Sequence, residues 1–145
     1  MIIRKEIDIK APLSVVWNVF SQMEDWRQWN TVCRNCCYIE GDKMALDTCF
    51  SFEIAPLIFP MRVKPRIVKC DPGKEVVWTG GRFGVRAEHM FRFFEENGFV
   101  RLLSEEEFKG PMMPFSRLLR VPQRLHRLTE EFMAAIKQQA ETCAG

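Results

Sequence analysis

The chain has 145 residues and a mass of 17.0 kDa, with 47% hydrophobic and 28% charged residues. This size and composition allow a full hydrophobic core, which excludes a disordered tail and a mini-protein held together by disulfides. The 21 Lys and Arg against 19 Asp and Glu leave a net charge of +2, too small to indicate nucleic-acid binding from bulk charge. We expect one domain over residues 1–145.

The first residues form a strand pattern. Ile3, Ile7 and Ile9 alternate with charged neighbours, which is the period of a half-buried strand. These charges lie where a signal peptide carries its apolar centre, and no stretch reaches the ~18 apolar residues of a membrane span. The sequence therefore predicts a cytoplasmic protein, with no integral membrane association, whose six cysteines are reduced.

Two short helices are predicted after this strand. Pro12 suits the first turn of a helix, and the apolar residues that follow have the spacing of one buried face. These residues are Leu13, Val16, Trp17 and Phe20. Ser21 and Glu24 have the spacing of a capping box, which predicts a second brief helix carrying Trp26 and Trp29.

A run of strands is predicted from Asn30 onwards. One face of the strand predicted here, which carries Phe50 and Phe52, is apolar. Met44, Leu46, Phe50, Phe52 and Ile54 occupy even positions, whereas Asp47, Ser51 and Glu53 occupy odd ones. The interval Pro56–Pro60 is predicted to be a loop or an edge. Because loops border pockets, this segment is a candidate cavity rim.

Turn residues separate the next strands. The turn Asp71–Lys74 contains Pro and Gly at positions that favour a chain reversal. It separates predicted strands near Val63–Cys70 and Glu75–Thr79. Gly80, Gly81 and Gly84 mark the reversal that follows.

The dipeptide Asn97-Gly98 is a strong signal for a two-residue hairpin turn, here between predicted strands Arg86–Glu95 and Phe99–Phe108. Such a turn places Glu96 opposite the first residue after it, and every later pair follows by counting. Side chains on one face then form these pairs: Glu95 with Val100, Phe93 with Leu102, Phe91 with Ser104, and His89 with Glu106. This face is mostly apolar and is predicted to face the interior.

His89 and Glu106 are therefore predicted to lie opposite each other in an apolar surface. Desolvation would lower the pKa of His89 and raise that of Glu106, whereas their pairing would oppose both shifts, and the sequence does not decide between the two effects. The pair is a candidate for orienting a polar group of a ligand or for acid–base catalysis. The alternative is that His89 satisfies Glu106 or backbone groups and has no further role. A β-bulge in the hairpin would separate the pair.

The C-terminal segment predicts a long helix with one apolar stripe. The stripe consists of Leu118, Val121, Leu125, Leu128, Phe132 and Ala135. Pro122 either begins the main helix in its first turn or kinks a longer one. A basic flank runs beside the stripe and consists of Arg117, Arg120, Arg124 and Arg127. These arginines either snorkel over the edge of the core or meet an anionic membrane surface transiently. The flank lacks interleaved aromatic residues, so we expect no nucleic-acid partner.

Cys33, Cys36 and Cys37 contain one Cys-x2-Cys pair, which is half of a zinc or redox site. A second pair does not follow, and strand alternation would point Cys36 and Cys37 to opposite faces. We therefore expect no metal and no other cofactor. The cysteines are interpreted as small hydrophobic residues.

Several local motifs occur in a fixed order along the chain. They are Ala11-Pro12, Val16-Trp17, Trp26-Arg27-Gln28-Trp29-Asn30, Asp71-Pro72-Gly73-Lys74, Val76-Val77-Trp78, His89-Met90-Phe91 and Glu105-Glu106-Glu107-Phe108-Lys109-Gly110. Together with the order of elements, they resemble the START-like (SRPBCC) superfamily and its polyketide cyclase/dehydrase-like branch. The resemblance implies an α+β helix-grip fold, in which a curved antiparallel sheet of six or seven strands wraps around the long C-terminal helix.

The resemblance also implies a hydrophobic cavity between sheet and helix, which would bind a lipid or a polycyclic, polyketide-like compound. The residues expected to bind this ligand are Phe50, Phe52, Trp78, His89, Phe91, Phe93, Ser104 and Glu106 on the sheet, and Leu118, Leu125, Leu128 and Phe132 on the helix. The segment Gly110–Pro114 is a second candidate rim.

Because this superfamily contains both carriers and enzymes, the sequence leaves the question of catalysis open. One alternative is a cyclase or dehydratase-type enzyme in which His89 and Glu106 move protons. Another is a protein-interaction module of the chaperone-activator kind, which predicts a largely filled cavity. The sequence identifies no protein partner.

Overall fold

The computed structural model of the protein describes residues 1–55 and 60–145. These residues form an antiparallel sheet, two short helices after the first strand and a long C-terminal helix, which confirms the predicted α+β helix-grip architecture. The strands are β1 (Ile2–Ile9), β2 (Arg34–Glu40), β3 (Cys49–Ile54), β4 (Met61–Val63), β5 (Arg66–Asp71), β6 (Glu75–Arg82), β7 (Val85–Glu96) and β8 (Phe99–Lys109). The helices are α1 (Leu13–Ser21), a 3-10 helix (Met23–Gln28), α2 (Met113–Leu118) and α3 (Val121–Ala144).

The sheet has the strand order β1-β8-β7-β6-β5-β3-β2, and the short strand β4 pairs with β3. Register shifts interrupt the β2–β3 and β5–β6 pairs, and irregularities of this kind bend strands. α3 packs against β1 and α1. One face of the sheet is thereby covered by helices, and the core lies between them.

The β7–β8 hairpin has the register predicted from Asn97-Gly98. Its pairs run without a bulge from Glu96 opposite Phe99 to Arg86 opposite Lys109. Gly98 has a φ of 82°, the left-handed conformation that this turn requires. The hairpin therefore brings His89 opposite Glu106, as the counting predicts.

The strand predicted from Met44 begins only at Cys49. Asp47 has a φ of 69°, which a continuous strand does not accommodate, and its N–H donates to the carbonyl of Ile67. The chain therefore curls through this segment, where Met44 is buried and Leu46 is 60% exposed.

The strands also begin later than Asn30. The Asn30 side chain organises a turn: its Oδ1 accepts from the N–H groups of Val32 and Cys33 at 2.9 and 2.8 Å. Its Nδ2 donates to the carbonyl of Trp26 at 3.0 Å. Because these bonds hold the chain in a turn, β2 starts at Arg34.

The capping box predicted at Ser21 is wrong. α1 continues through Ser21, and the 3-10 helix follows Gln22 without a side-chain cap. The turn is fixed differently, because the indole N–H of Trp26 donates to the carbonyl of Phe20 at 3.0 Å. The second short helix nevertheless exists where it was predicted and carries Trp26, whereas Trp29 follows its last residue.

The C-terminal helix is interrupted at Arg120, which has a left-handed φ of 57°. Pro122 lies in the first turn of α3, which decides between the two alternatives left open by the sequence. The predicted apolar stripe is wrong at Leu118, because the interruption turns α2 away from the face of α3. Its members on α3 are buried or half-buried: Val121, Leu125, Leu128, Phe132 and Ala135. Leu118 lies on α2 and is 77% exposed. The buried residues of α3 are Pro122, Thr129, Phe132, Met133, Ile136 and Ala140.

Candidate functional site

A cavity of about 350 Å³ lies between one end of the sheet and the corner formed by α2 and α3. Strands β3, β4, β6, β7 and β8 supply one wall, and α2 with the first turns of α3 supplies the other. Its lining is mostly apolar and includes Met61, Val63, Val85, Phe108 and Met113. This volume and lining are typical of a site for a small hydrophobic ligand.

Five of the residues expected to bind a ligand line this cavity. They are Phe52, Trp78, His89, Glu106 and Leu125. Trp78, His89 and Glu106 come from the adjacent strands β6, β7 and β8. Phe52 comes from β3, and Leu125 faces the sheet from α3. The structure therefore brings the predicted polar pair and part of the predicted apolar surface to one place.

The other predicted residues lie outside the cavity wall. Five of them belong to the core or pack against it: Phe50, Phe91, Phe93, Phe132 and Leu128. Ser104 lies behind His89 and is 1% exposed, and Leu118 faces outward. The core side chains lie outside the wall because rings from α1 and the 3-10 helix fill that space. The ring centroids of Phe20 and Phe91 lie 4.9 Å apart, and those of Trp26 and Phe132 lie 5.1 Å apart.

The interior therefore has two halves. We call the region around Phe20, Trp26, Phe91 and Phe132 the packed half, and the region that contains the 350 Å³ cavity the hollow half. The two halves meet at Trp78 and His89, which contact aromatic neighbours on one side and line the cavity on the other.

Sequence reasoning missed part of the wall. Val85 and Ala87 line the cavity with His89 because every second residue of β7 faces the same way, so the predicted register could have been extended to them. The predicted rim Gly110–Pro114 contributes Met112 and Met113 to the wall. Of the other predicted rim, Pro56–Phe59 lie outside the described residues.

His89 joins Ser104 and Glu106 in a short polar row at the inner end of the cavity. The imidazole Nε2 lies 2.6 Å from the Ser104 hydroxyl, and Nδ1 lies 3.5 Å from Oε2 of Glu106. The ring stacks on Phe91 at 4.2 Å and contacts Trp78 edge-on at 5.5 Å. Because the hairpin register is regular, all three polar side chains point to the same face of the sheet.

Both titratable groups in this row are neutral at pH 7. Burial lowers the pKa of His89 to about 3 and raises the pKa of Glu106 to about 8. Their side chains are only 12% and 15% exposed, and both line the cavity. Desolvation therefore outweighs pairing, and the Glu106 carboxylic acid can donate a hydrogen bond into the cavity.

The cysteine cluster does not form a comparable site. Burial raises the pKa of the Cys33 thiol above its ordinary range and that of Cys36 to about 12, which keeps both thiols protonated and unreactive. All six cysteines are free. Within residues 1–55 and 60–145, no three His, Cys, Asp or Glu side chains are arranged to hold a metal ion. None of the described helices has the length and apolarity of a bilayer span.

Comparison with known proteins identifies a family that matches nearly the whole chain. The family model described as polyketide cyclase/dehydrase and lipid transport matches residues 2–141. A search of curated proteins returned no match.

Solved structures show the same fold at low sequence identity. The Thermus thermophilus protein TTHA0849 has a TM-score of 0.83 at 14% identity, with 100% of both chains covered. The Helicobacter pylori hypothetical protein jhp0584 has a TM-score of 0.80 at 16% identity, covering 97% of this chain and 88% of that one. Norcoclaurine synthase from Thalictrum flavum, solved with a transition-state analogue, has a TM-score of 0.79 at 15% identity and covers 100% and 96%.

Proposed function

The chain belongs to the polyketide cyclase/dehydrase and lipid transport family, and we propose that it binds a hydrophobic small molecule in the hollow half. Family membership supports a ligand-binding or cyclase-type role. The ligand we propose is a lipid or a polycyclic, polyketide-like compound that carries an oxygen acceptor at one end. The observation behind this proposal is an apolar cavity with a neutral carboxylic acid at its inner end.

The shape and lining of the cavity favour an apolar ligand. The walls consist mainly of aliphatic, aromatic and methionine side chains. Removing these side chains from water is favourable when the ligand that covers them is apolar. A volume of about 350 Å³ lies within the range of small-molecule sites. It also disfavours the interaction-module alternative, which predicts a largely filled cavity.

Glu106 supplies the polar end of the proposed site. Its carboxyl makes no hydrogen bond within ordinary limits to the described residues, and its closest polar contact is Nδ1 of His89 at 3.5 Å. A neutral carboxyl group that lines an apolar cavity is a hydrogen-bond donor that requires an acceptor from a ligand. A ketone, quinone or ester oxygen of a ligand meets that requirement, whereas a carboxylate ligand would meet it only by bringing a charge into the cavity.

The binding test uses prodan, an uncharged naphthyl ketone whose emission shifts to the blue in apolar surroundings. We expect prodan to bind the native protein with a blue-shifted emission. Ala87→Leu places a larger side chain in the cavity and should abolish this binding. The matched control, Ala134→Leu, makes the same change on the exposed face of α3 and should leave binding intact.

A second variant tests the polar end. Glu106→Leu removes the hydrogen-bond donor and should weaken prodan binding about tenfold, the effect of one lost hydrogen bond of about 1.4 kcal/mol. Equal prodan affinity in the native protein and in Ala87→Leu would contradict the proposed binding site. Unchanged affinity in Glu106→Leu would contradict the role of Glu106 alone.

The protonated state of Glu106 favours a second candidate function, a dehydratase-type reaction. In this role Glu106 protonates the departing hydroxyl of a β-hydroxy ketone and then, as a carboxylate, accepts the proton lost from the adjacent carbon. The likeness to norcoclaurine synthase, which was solved with a transition-state analogue, supports considering catalysis on this fold.

One substitution separates the two functions. Glu106→Gln keeps a neutral hydrogen-bond donor but has no proton to transfer. With a naphthyl β-hydroxy ketone as the probe, an enzyme should release the conjugated enone, lose this activity in Glu106→Gln and lose it above pH 8 as Glu106 ionises. A binding protein should produce no enone and should retain prodan affinity in Glu106→Gln.

A further inference from the structure

The outer rim of the cavity carries a concentration of exposed apolar side chains. We call this surface the mouth face and define it as the turn Arg82–Val85 together with the segment Pro111–Arg120. Half of the large hydrophobic side chains that are exposed in the described structure lie here. They are Leu118 (77%), Phe83 (70%), Phe115 (54%), Met112 (42%) and Leu119 (41%).

The two segments of the mouth face touch each other and the cavity. The Met112 N–H donates to the carbonyl of Gly84 at 3.3 Å, which joins the turn to the start of α2. Phe83, Phe115 and Leu119 contribute to the cavity wall as well as to the exposed surface. The cavity therefore reaches the surface of the protein within this apolar patch.

The mouth face and the stretches of chain on either side of it are strongly cationic. Residues 76–87 and 108–129 contain seven Lys and Arg and no Asp or Glu, whereas the rest of the chain has fourteen Lys and Arg against nineteen Asp and Glu. The net charges of these two parts are therefore +7 and −5. The basic residues are Arg82, Arg86, Lys109, Arg117, Arg120, Arg124 and Arg127. Among the described residues, Lys109 is the member of this set that has a carboxylate partner, Glu107 at 3.1 Å.

Phe83 is held in an unfavourable state in two respects. Its φ of 54° lies in the left-handed region, which bulky side chains rarely adopt, and its ring is 70% exposed to water. Neither feature improves the packing of the core. Strain and apolar exposure at one residue, next to a cavity mouth, are typical of a contact surface.

We propose that the mouth face docks on an anionic lipid bilayer. Its apolar side chains enter the interfacial region while the surrounding arginines contact lipid phosphates, which is the arrangement of interfacial membrane binding. A hydrophobic ligand could then pass between bilayer and cavity without crossing water. This docking goes beyond the proposed function, because the surface exists whatever ligand the cavity takes.

The charge distribution favours a bilayer over other occupants. A second copy of the chain docked through the same face would bring two sets of unpaired arginines together, and like charges repel. Nucleic acid would meet the arginines and stack on Phe83 and Phe115, but it would leave the exposed aliphatic side chains of Leu118, Leu119 and Met112 without an apolar partner. An anionic bilayer satisfies both the charge and the apolar residues.

Co-sedimentation with lipid vesicles tests the proposal. We expect the native protein to sediment with vesicles of phosphatidylcholine and phosphatidylserine, to bind vesicles of phosphatidylcholine alone much more weakly, and to lose binding as salt rises. Phe83→Asn combined with Leu118→Ser should abolish sedimentation. Asn tolerates the left-handed conformation, so this change relieves strain and should not unfold the protein.

The charged and apolar contributions have matched controls. Arg117→Gln and Arg124→Gln should each weaken partitioning about fivefold, whereas Arg27→Gln, an exposed arginine on the 3-10 helix, should have little effect. Phe94→Ser removes an exposed ring from β7, outside the mouth face, and should leave vesicle binding unchanged.

Each contrary outcome has a definite meaning. Absence of sedimentation with phosphatidylserine vesicles, or unchanged sedimentation of the Phe83→Asn, Leu118→Ser variant, would overturn the docking proposal. A native dimer that this variant dissociates would overturn it in favour of self-association. Leu118 and Arg117 do not line the cavity, so prodan binding that persists in Leu118→Ser and Arg117→Gln while vesicle binding is weakened separates docking from ligand binding.

Discussion

The packed half and the hollow half of this protein share one sheet face but differ in what covers it. In the packed half, α1 and the 3-10 helix direct Phe20 and Trp26 inward, where both are fully buried. In the hollow half, α2 carries Phe115 and Leu118, and both are more than half exposed. The chain therefore has aromatic and aliphatic residues near both halves. The cavity stays open because Leu118 faces outward and Phe115 lines the wall with half of its surface exposed, so neither fills the space as Phe20 and Trp26 do.

This difference makes the cavity a feature of the fold and not a packing defect. A chain that exposes apolar residues at a cavity rim loses the stability that their burial would have contributed, about 25 cal/mol per Å². The interruption at Arg120 maintains this arrangement, because it separates the face of α2 from that of α3. The following changes test the contrast between the halves, from the largest expected effect to the smallest.

Matched leucine truncations should separate the halves most strongly. Leu102→Ala removes a fully buried side chain from the core and should lower the free energy of unfolding by about 3 kcal/mol, because the space it leaves is enclosed. Leu125→Ala, which faces the existing cavity, should cost about 1 kcal/mol or less. Urea unfolding of both variants measures the difference, and equal losses would contradict the division into halves.

Matched alanine enlargements should show the opposite sensitivity. Ala140 is fully buried on α3, so Ala140→Leu should destabilise the protein by about 2 kcal/mol through overpacking. Ala87→Leu extends into empty space and should change stability by less than about 0.5 kcal/mol. A comparable loss in both variants by thermal unfolding would show that the hollow half has no room.

The polar row predicts a pH dependence with a definite sign. The folded state holds a proton on Glu106 that the unfolded state releases, so this group's contribution falls as pH rises from 4.5 to about 8. Neutral His89 has the opposite effect, since the unfolded state takes up a proton below pH 6.5 and the folded state only near pH 3. The two oppose each other between pH 4.5 and 6.5, and Glu106 acts alone above that range.

Stability should therefore fall by up to about 2 kcal/mol between pH 6.5 and 8. Glu106→Gln should flatten this part of the profile, whereas Glu107→Gln, on the other face of β8, should not. Denaturant unfolding at a series of pH values makes the measurement. A native protein whose stability stays constant from pH 6.5 to 8 would show that Glu106 is already ionised.

The smallest expected effect concerns the far end of the row. Ser104→Ala removes the hydroxyl that lies 2.6 Å from Nε2 of His89 and should cost about 1 kcal/mol, because a buried ring nitrogen loses its partner. The shape of the cavity should not change, since Ser104 does not line it. Prodan affinity should therefore stay within about twofold of the native value, and a large loss would show that the row acts as a unit.

The parts of this structure that local chemistry determines were predictable from the sequence. A two-residue Asn97-Gly98 turn and alternating side chains determine which residues face each other, so His89 could be placed opposite Glu106 by counting. The fold followed from the order of elements and motifs. The ionisation of the pair was not predictable, because desolvation depends on Phe91 and Trp78 surrounding the imidazole.

The position of the cavity was not predictable either, since it depends on tertiary packing. The sequence pattern of an apolar strand face is the same whether an aromatic ring or empty space covers that face. Phe91 and Phe52 were therefore equivalent in the sequence, although only Phe52 of the two lines the cavity. The helical stripe failed at Leu118 for a similar reason. A left-handed residue at Arg120 shifts the buried face of the helix, and arginine gives no sequence signal for that conformation.

Methyl NMR of the methionines tests the two halves in one spectrum. Met61, Met112 and Met113 line the cavity, whereas Met23 and Met133 are buried in the packed half. With the methionine methyl groups labelled with carbon-13, titration with prodan should shift the three cavity resonances and leave the two core resonances in place. The absence of shifts at all three cavity methionines, or shifts at Met23 and Met133 instead, would contradict a ligand site in the hollow half.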